Sequence, residues 1–103
     1  MSFYPLEKLI NLHDGYRKVF RLPQLSGLLL CENGRTFVIE NACPHMGQRL
    51  DKATVEGNRL RCPAHGFEFD LLRGDCVLGQ TPCKPLKFFK LAYVGNEVGI
   101  ELT

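Results

Sequence analysis

The chain has 103 residues and a mass of 11.7 kDa, the size of one small domain rather than a two-domain enzyme. Hydrophobic residues make up 45% and charged residues 23%, an ordinary globular composition that excludes a disordered tail. Thirteen Lys and Arg stand against eleven Asp and Glu, a net +2 with no basic block, so no grip on nucleic acid is expected.

Met1-Ser2-Phe3-Tyr4-Pro5 lacks the charged region, apolar stretch and small-residue cleavage site of a secretion signal. The longest apolar run, Leu28-Leu29-Leu30-Cys31, is far short of the roughly 18 residues that cross a bilayer. A cytoplasmic chain with no membrane partner is the expectation. Pro5–Ile10 admits a short helical turn, since Pro is accepted in a first turn, though it lacks amphipathic length. Residues 16–22 partly alternate apolar and polar side chains and read as a half-buried strand. Leu28–Glu32 and Arg35–Glu40 flank Asn33-Gly34, whose two positions tolerate positive φ and so predict a tight hairpin.

Across residues 41–71 Gly, Pro, Cys and His concentrate, and Asn58–Arg61 and Phe67–Leu72 alone read as strands. This stretch is an insert held by a β-framework. After it, Leu86–Val94 and Glu97–Leu102 bracket Gly95-Asn96 as a second hairpin, with Val98, Ile100 and Leu102 on one face. The reading is all-β, one domain over residues 1–103, with the insert at about 41–71 and no internal repeat.

Five cysteines are an odd number in a chain with no secretion signal, which argues against a disulfide framework and for metal or redox chemistry. Two loops inside the insert carry the pattern, Cys43-Pro44-His45-Met46-Gly47 and Cys62-Pro63-Ala64-His65-Gly66. Each pairs a thiolate donor with an imidazole donor, as Cys-x-His, sixteen intervening residues, then Cys-x-x-His. Two Cys and two His are a common tetrahedral zinc shell, but zinc loops usually pair Cys with Cys and His with His. Mixed loops fit a binuclear site in which two thiolates close on one iron and two neutral imidazoles on the other. The spacing by itself leaves both metals open.

At these residues the chain resembles the Rieske [2Fe–2S] family, whose two-loop signature is Cys-x-His, a stretch of similar length, then Cys-x-x-His. The likeness extends through Asn41–Gly47, Cys62–Asp70 and Gly74-Asp75, and the flanking hairpins resemble the family's antiparallel β-sandwich base. The resemblance implies one [2Fe–2S] cluster, with Cys43 and Cys62 on the buried iron and His45 and His65 on the outer iron. Departures from the pattern are informative. The Rieske proteins of quinol oxidases brace the cluster with one extra cysteine per loop, where this chain has Gln48 and Ala64. Those proteins also aim a Ser and a Tyr hydroxyl at the cluster sulfurs, where this chain has Phe67 and Phe69. Sulfur hydrogen bonds stabilise the reduced state, so their loss implies a potential toward about −150 mV, the low end of the Rieske range. The family's nitrite reductase small subunits typically lack the ligands, and all four are present here.

The implied role is a soluble one-electron carrier, taking an electron from a flavin-dependent reductase and passing it to a terminal oxygenase. A Rieske oxygenase also needs two His and a carboxylate for its catalytic iron, and His13 is the sole histidine left; the chain is therefore read as a carrier, not an enzyme. Docking is expected at the tip around His45, Met46, Gln48, Pro63 and His65, through a small transient interface. A zinc-stabilised interaction module, or a sensor or redox subunit of another reductase complex, are the rival readings. Cys31 and Cys76 read as small buried hydrophobes, Cys83 as an unreactive thiol rather than a ligand or a disulfide partner of Cys76, and His13 as a turn residue. Arg49, Lys52, Arg59 and Arg61 read as solvated surface.

Two ferric ions, two sulfides and two thiolates sum to zero, so reduction would take the protein from its formal +2 to +1. A negative charge about 5 Å from each outer imidazole is worth about 3 kcal/mol at an effective dielectric near 20, or about two pK units. Voltammetry should therefore show a midpoint potential flat near neutrality and falling at alkaline pH. A potential independent of pH up to about 10 would remove His45 and His65 as ligands.

Overall fold

A run such as Leu28-Leu29-Leu30-Cys31 has no polar face, so a strand built from it needs both faces covered. The computed structural model, which describes residues 2–23, 25–44, 47–63, 66–78 and 84–102, covers both. The described strands are β1 (Ser2–Lys8), β2 (Tyr16–Arg21), β3 (Ser26–Glu32), β4 (Arg35–Glu40), β5 (Thr54–Glu56), β6 (Arg59–Arg61), β7 (Glu68–Asp70), β8 (Cys76–Leu78), β9 (Leu91–Val94) and β10 (Glu97–Leu102). They form three antiparallel sheets ordered β1-β10-β9, β2-β3-β4 and β5-β6-β7-β8.

The middle sheet β2-β3-β4 is shared between two cores. Leu29 of β3 and Val38 of β4 join Leu6, Phe20, Val98 and Ile100 in one cluster. Their neighbours Leu28, Leu30 and Ile39 point the other way, into a cluster with Leu50, Leu60, Phe69, Leu71, Cys43 and Cys62. Successive side chains of a strand point to opposite faces, so a strand buried on both reads as continuously apolar. All three leucines of β3 are fully buried, each worth about 1.5–3 kcal/mol of transfer free energy.

Both predicted hairpins form. Asn33 and Gly34 have φ of 53° and 74°, the two consecutive positive values of a type I′ turn, which matches the twist of the strands it joins. Gly95 has φ of 59°, and Val98, Ile100 and Leu102 share the inner face as expected. The all-β reading holds.

Several elements differ from expectation. The helical turn over Pro5–Ile10 is instead strand β1, paired with β10 from Ser2↔Leu102 to Lys8↔Glu97, and a single 3-10 turn follows at Leu9–Asn11. Pro5 sits in an edge strand beside a register shift at Pro5/Glu7, where its missing N–H is tolerated. The stretch read as strand from Leu86 is regular from Leu91 on. Residues 86–90 instead fasten to β4 through Glu40 N–H to Lys87 O, Phe89 N–H to Val38 O and the Ile39↔Phe88 bridge. Strands β5 and β8 were not expected; β8 pairs with β7, so the sheet β5-β6-β7-β8 runs on to Leu78. Cys31 is buried as predicted, but Cys76 is disulfide-bonded and half-buried on edge strand β8. An edge position leaves a sulfur accessible to a partner, which a wholly interior one does not. Cys83 lies outside the described residues.

Polar contacts tie the outer sheet to the middle one. Tyr16 donates its hydroxyl to Glu7, and Lys18 Nζ donates to Leu6 O at 2.6 Å. Bonds from Asn11, Tyr16 and the Lys8 N–H pull the Glu7 carboxyl from 4.5 down to about 2. Burial and the bond to Glu7 push Tyr16 from 10.0 up to about 12. The Glu7 contribution is complete above its ordinary value and lost as pH falls toward 2; that of Tyr16 is complete below its ordinary value and lost as pH rises toward 12. The stitch is intact across the neutral range.

Gly99 shows how closely β1 lies on β10. A Cβ there would stand 2.1 Å from Tyr4 O and 2.9 Å from Pro5 Cα, backbone atoms that cannot swing aside. Gly99→Ala should cost about 1–3 kcal/mol, and calorimetry should show Tm falling about 4–8 °C for each of those kilocalories. An unchanged Tm would mean that β1 is not seated as described.

Candidate metal centre

The two Cys-His loops stand at the ends of strands and close in the same way. In the first, Cys43 N–H donates to Gln48 O at 2.6 Å, and Gly47 N–H donates to Cys43 O at 2.7 Å. In the second, Cys62 N–H donates to Phe67 O at 2.7 Å, and Gly66 N–H donates to Cys62 O at 3.1 Å. Each closure runs from a cysteine to the fifth residue after it and returns from the fourth. That fourth residue is glycine in both loops, with φ of 73° at Gly47 and 71° at Gly66, a left-handed conformation costly for residues with a Cβ. The matched closure leaves the histidine one step out of register, second after Cys43 and third after Cys62.

Both thiol residues sit deep. Cys43 is 2% exposed and Cys62 1%; neither is in a disulfide, and both belong to one apolar cluster with Leu50, Phe67 and Phe69. A pair of thiolate donors set in an apolar wall is a soft-ligand arrangement suited to iron–sulfur or zinc chemistry. Phe67 and Phe69 are buried beside them as predicted and carry no hydrogen-bond donor in their side chains. Gln48 and Pro63 are exposed at the loop surfaces. His45, Met46, Ala64 and His65 lie outside the described residues.

Asn41 was legible only as a flanking residue, yet its side chain fastens the first loop. Among the described residues it is the buried polar one, 4% exposed. Its Oδ1 accepts the Leu50 N–H at 2.7 Å, its Nδ2 faces Asp51 Oδ1 at 3.5 Å, and its own N–H donates to Ser26 O at 2.9 Å. The side chain thus joins the two feet of the loop that carries Cys43 and anchors them to β3. Asp51 is braced in turn by Arg49, at 3.0 and 3.2 Å. Burial would raise the Asp51 carboxyl, but hydrogen bonds from Arg49 and the backbone outweigh it and hold the group below the usual range.

The other residues singled out from sequence have plain structural roles. Arg49, Arg59 and Arg61 are exposed, as expected, in ion pairs with Asp51 and Glu68. His13 is exposed, with Nδ1 3.0 Å from Asp14 O and its ring edge-on to Tyr16.

A family model described as the Rieske [2Fe-2S] domain matches residues 2–90. Among characterised proteins, apoptosis-inducing factor 3 of Homo sapiens is 34% identical over 65 residues, covering 63% of this chain and 11% of that protein. The chain thus spans about a tenth of that relative's length. Among solved structures, the Sphingomonas yanoikuyae B1 ferredoxin superposes with a TM-score of 0.82 at 23% identity, covering 99% of this chain and 100% of that one. A chain from the complex of reduced oxygenase and oxidized ferredoxin in carbazole 1,9a-dioxygenase gives 0.81 at 21% identity, covering 95% and 91%. Identities this low establish a shared fold.

Replacing Asn41 by leucine would strand the buried Leu50 N–H. Urea unfolding of Asn41→Leu should show a loss of about 1–3 kcal/mol. Asp51→Asn leaves the bond from the Leu50 N–H to Asn41 in place and should lose less; equal losses in the two variants would show that the Leu50 bond does not carry the effect.

Proposed function

From membership of the Rieske [2Fe-2S] domain family, to which this chain belongs, we propose that it is a one-electron carrier whose cluster is held by Cys43, His45, Cys62 and His65. The observation that carries this reading is the convergence of Cys43 and Cys62, on loops of matched closure, into one apolar core. When bound, the cluster supplies a single electron through an Fe(III)/Fe(II) couple. The residues fit that group: two buried thiols unspent on a disulfide, and an imidazole donor two or three residues beyond each.

The chain's own residues then set how the carrier works. Cys43 and Cys62 would hold the cluster from the core side, with His45 and His65 as its other two protein ligands. The side chains of Phe67 and Phe69 are apolar and carry no donor for a sulfur, which supports a potential at the low end of the family's range. Exposed Gln48 and Pro63 leave the tip open to a partner. His13 is the one histidine not spent on the cluster, so these 103 residues lack the two-His, one-carboxylate set of a catalytic oxygenase iron. We therefore assign the electron's source to a flavin-dependent reductase and its destination to a terminal oxygenase. Support for the oxygenase comes from the resemblance to the ferredoxin–oxygenase assembly. No helix among the described residues is long and apolar enough to cross a membrane, and the proposed setting is the cytoplasm.

Metal and acid-labile sulfide analysis of anaerobically purified protein tests the reading. About two iron and two sulfide per chain are expected, with loss of the visible absorption in Cys62→Ser. One zinc per chain without sulfide would overturn it in favour of a structural metal module.

A further inference from the structure

Strand β6 places Arg59 and Arg61 on one face, with Leu60 between them buried at 1%. On that face Glu68 of β7 lies 3.6 Å from Arg59 Nη1 and 3.7 Å from Arg61 Nη1, beyond good hydrogen-bond reach. One carboxylate, 18% exposed, is thus shared between two guanidinium groups that are each 61% exposed. Arg59 also has Glu56 and Asp70 opposite it in register, whereas Arg61 stands opposite Thr54 and Glu68. Of the two cations, Arg61 is the less neutralised.

Arg61 also covers the second loop. A Cβ on Gly66 would lie 3.0 Å from Arg61 Nη2, 3.5 Å from Cζ and 3.6 Å from Nε, so the guanidinium occupies the side of Gly66 where a side chain would stand. Gly66 is bonded to Cys62 O and follows His65 in the chain. The equivalent position before Cys43 is Ala42; the first loop instead has Lys84 and Lys87 across the groove that it lines with Ala42, Cys43, Pro44 and Gly47. A fixed cation favours the arrival of an electron nearby, and a fixed anion opposes it.

We propose that Arg61, lying against Gly66, is an electrostatic positioning residue that raises the electron affinity of the redox centre, with Glu68 as the counter-charge that moderates it. The inference rests on the proposed cluster site and goes beyond it by assigning the sign of each charge's effect. Arg61 acts through space and through the loop; it is not a ligand. Because the Arg61 guanidinium faces solvent and Glu68 is only partly buried, the effect is modest and screened by salt.

The test is the midpoint potential of cluster-loaded protein by voltammetry at low ionic strength. Arg61→Gln should lower the potential, reducing the equilibrium constant for electron uptake roughly two- to fivefold. Glu68→Gln should shift it the opposite way, and Arg61→Lys should stay near the wild type. Raising the salt should shrink both shifts. Opposite signs from two neutralising substitutions on one surface are not produced by loosening of the loop, which would move both variants the same way. Shifts of the same sign, or none in either variant, would overturn the proposal, and Glu68→Gln carries the sign by itself if Arg61→Gln fails to load. Wild-type protein without iron and sulfide would instead refute the cluster reading beneath it.

Discussion

The architecture depends on the middle sheet being buried on both faces. Leu28 and Leu30 serve one core while Leu29 serves the other, and Ile39 and Val38 divide the same way on β4. Three side chains at about 1.5–3 kcal/mol each are a large share of the 5–15 kcal/mol by which a domain is stable. The insert is therefore half of the hydrophobic interior rather than an appendage on a finished sandwich. Cys43 and Cys62 belong to that same interior, so the contacts that fold the framework also seat the thiols.

Around those thiols the work passes from side chains to the backbone. At matched positions the two loops share Cys-Pro and a glycine, with the histidine displaced by one, yet their hydrogen bonds close over the same number of residues. Backbone closure of this kind needs a left-handed residue at one place, and glycine adopts that conformation without the usual penalty. The loops differ in what supports them from outside. A buried amide at Asn41 bolts the first to the core, and a guanidinium lies across the second.

Much of this was readable from the chain because its signals are local. Asn33-Gly34 and Gly95-Asn96 specify their turns through the φ values they tolerate, and the Cys and His spacings mark both loops without any tertiary information. The missed elements depend on distant partners. β1 is a strand because β10, paired with it from Ser2↔Leu102 to Lys8↔Glu97 at the far end of the chain, offers it an edge and a glycine to lie against; nothing within Ser2–Lys8 announces that. β5 and β8 are as short as β6 and β7, but they lack the buried apolar residue that Leu60 and Phe69 give those two strands. Asn41 looked like a loop residue since its acceptor role depends on Leu50, nine positions on. Cys76 has the composition of a core position, and its edge placement follows from strand order, which local pattern does not encode.

The fastening of residues 86–90 to β4 has a consequence for the protein as a template for change. Glu40, the last residue of β4 before the insert, bonds at 2.8 Å to Lys87, nine positions beyond the end of β8 at Leu78. Entry and exit are thus neighbours whatever the chain does between them, and lengthening an already closed loop adds little entropic cost. Such a segment behaves as a cassette on a hinge-free base: its outer surface and its charges can diverge toward a new partner while the framework keeps its register. The apolar face shared with Leu28, Leu30 and Ile39 is what such divergence has to preserve.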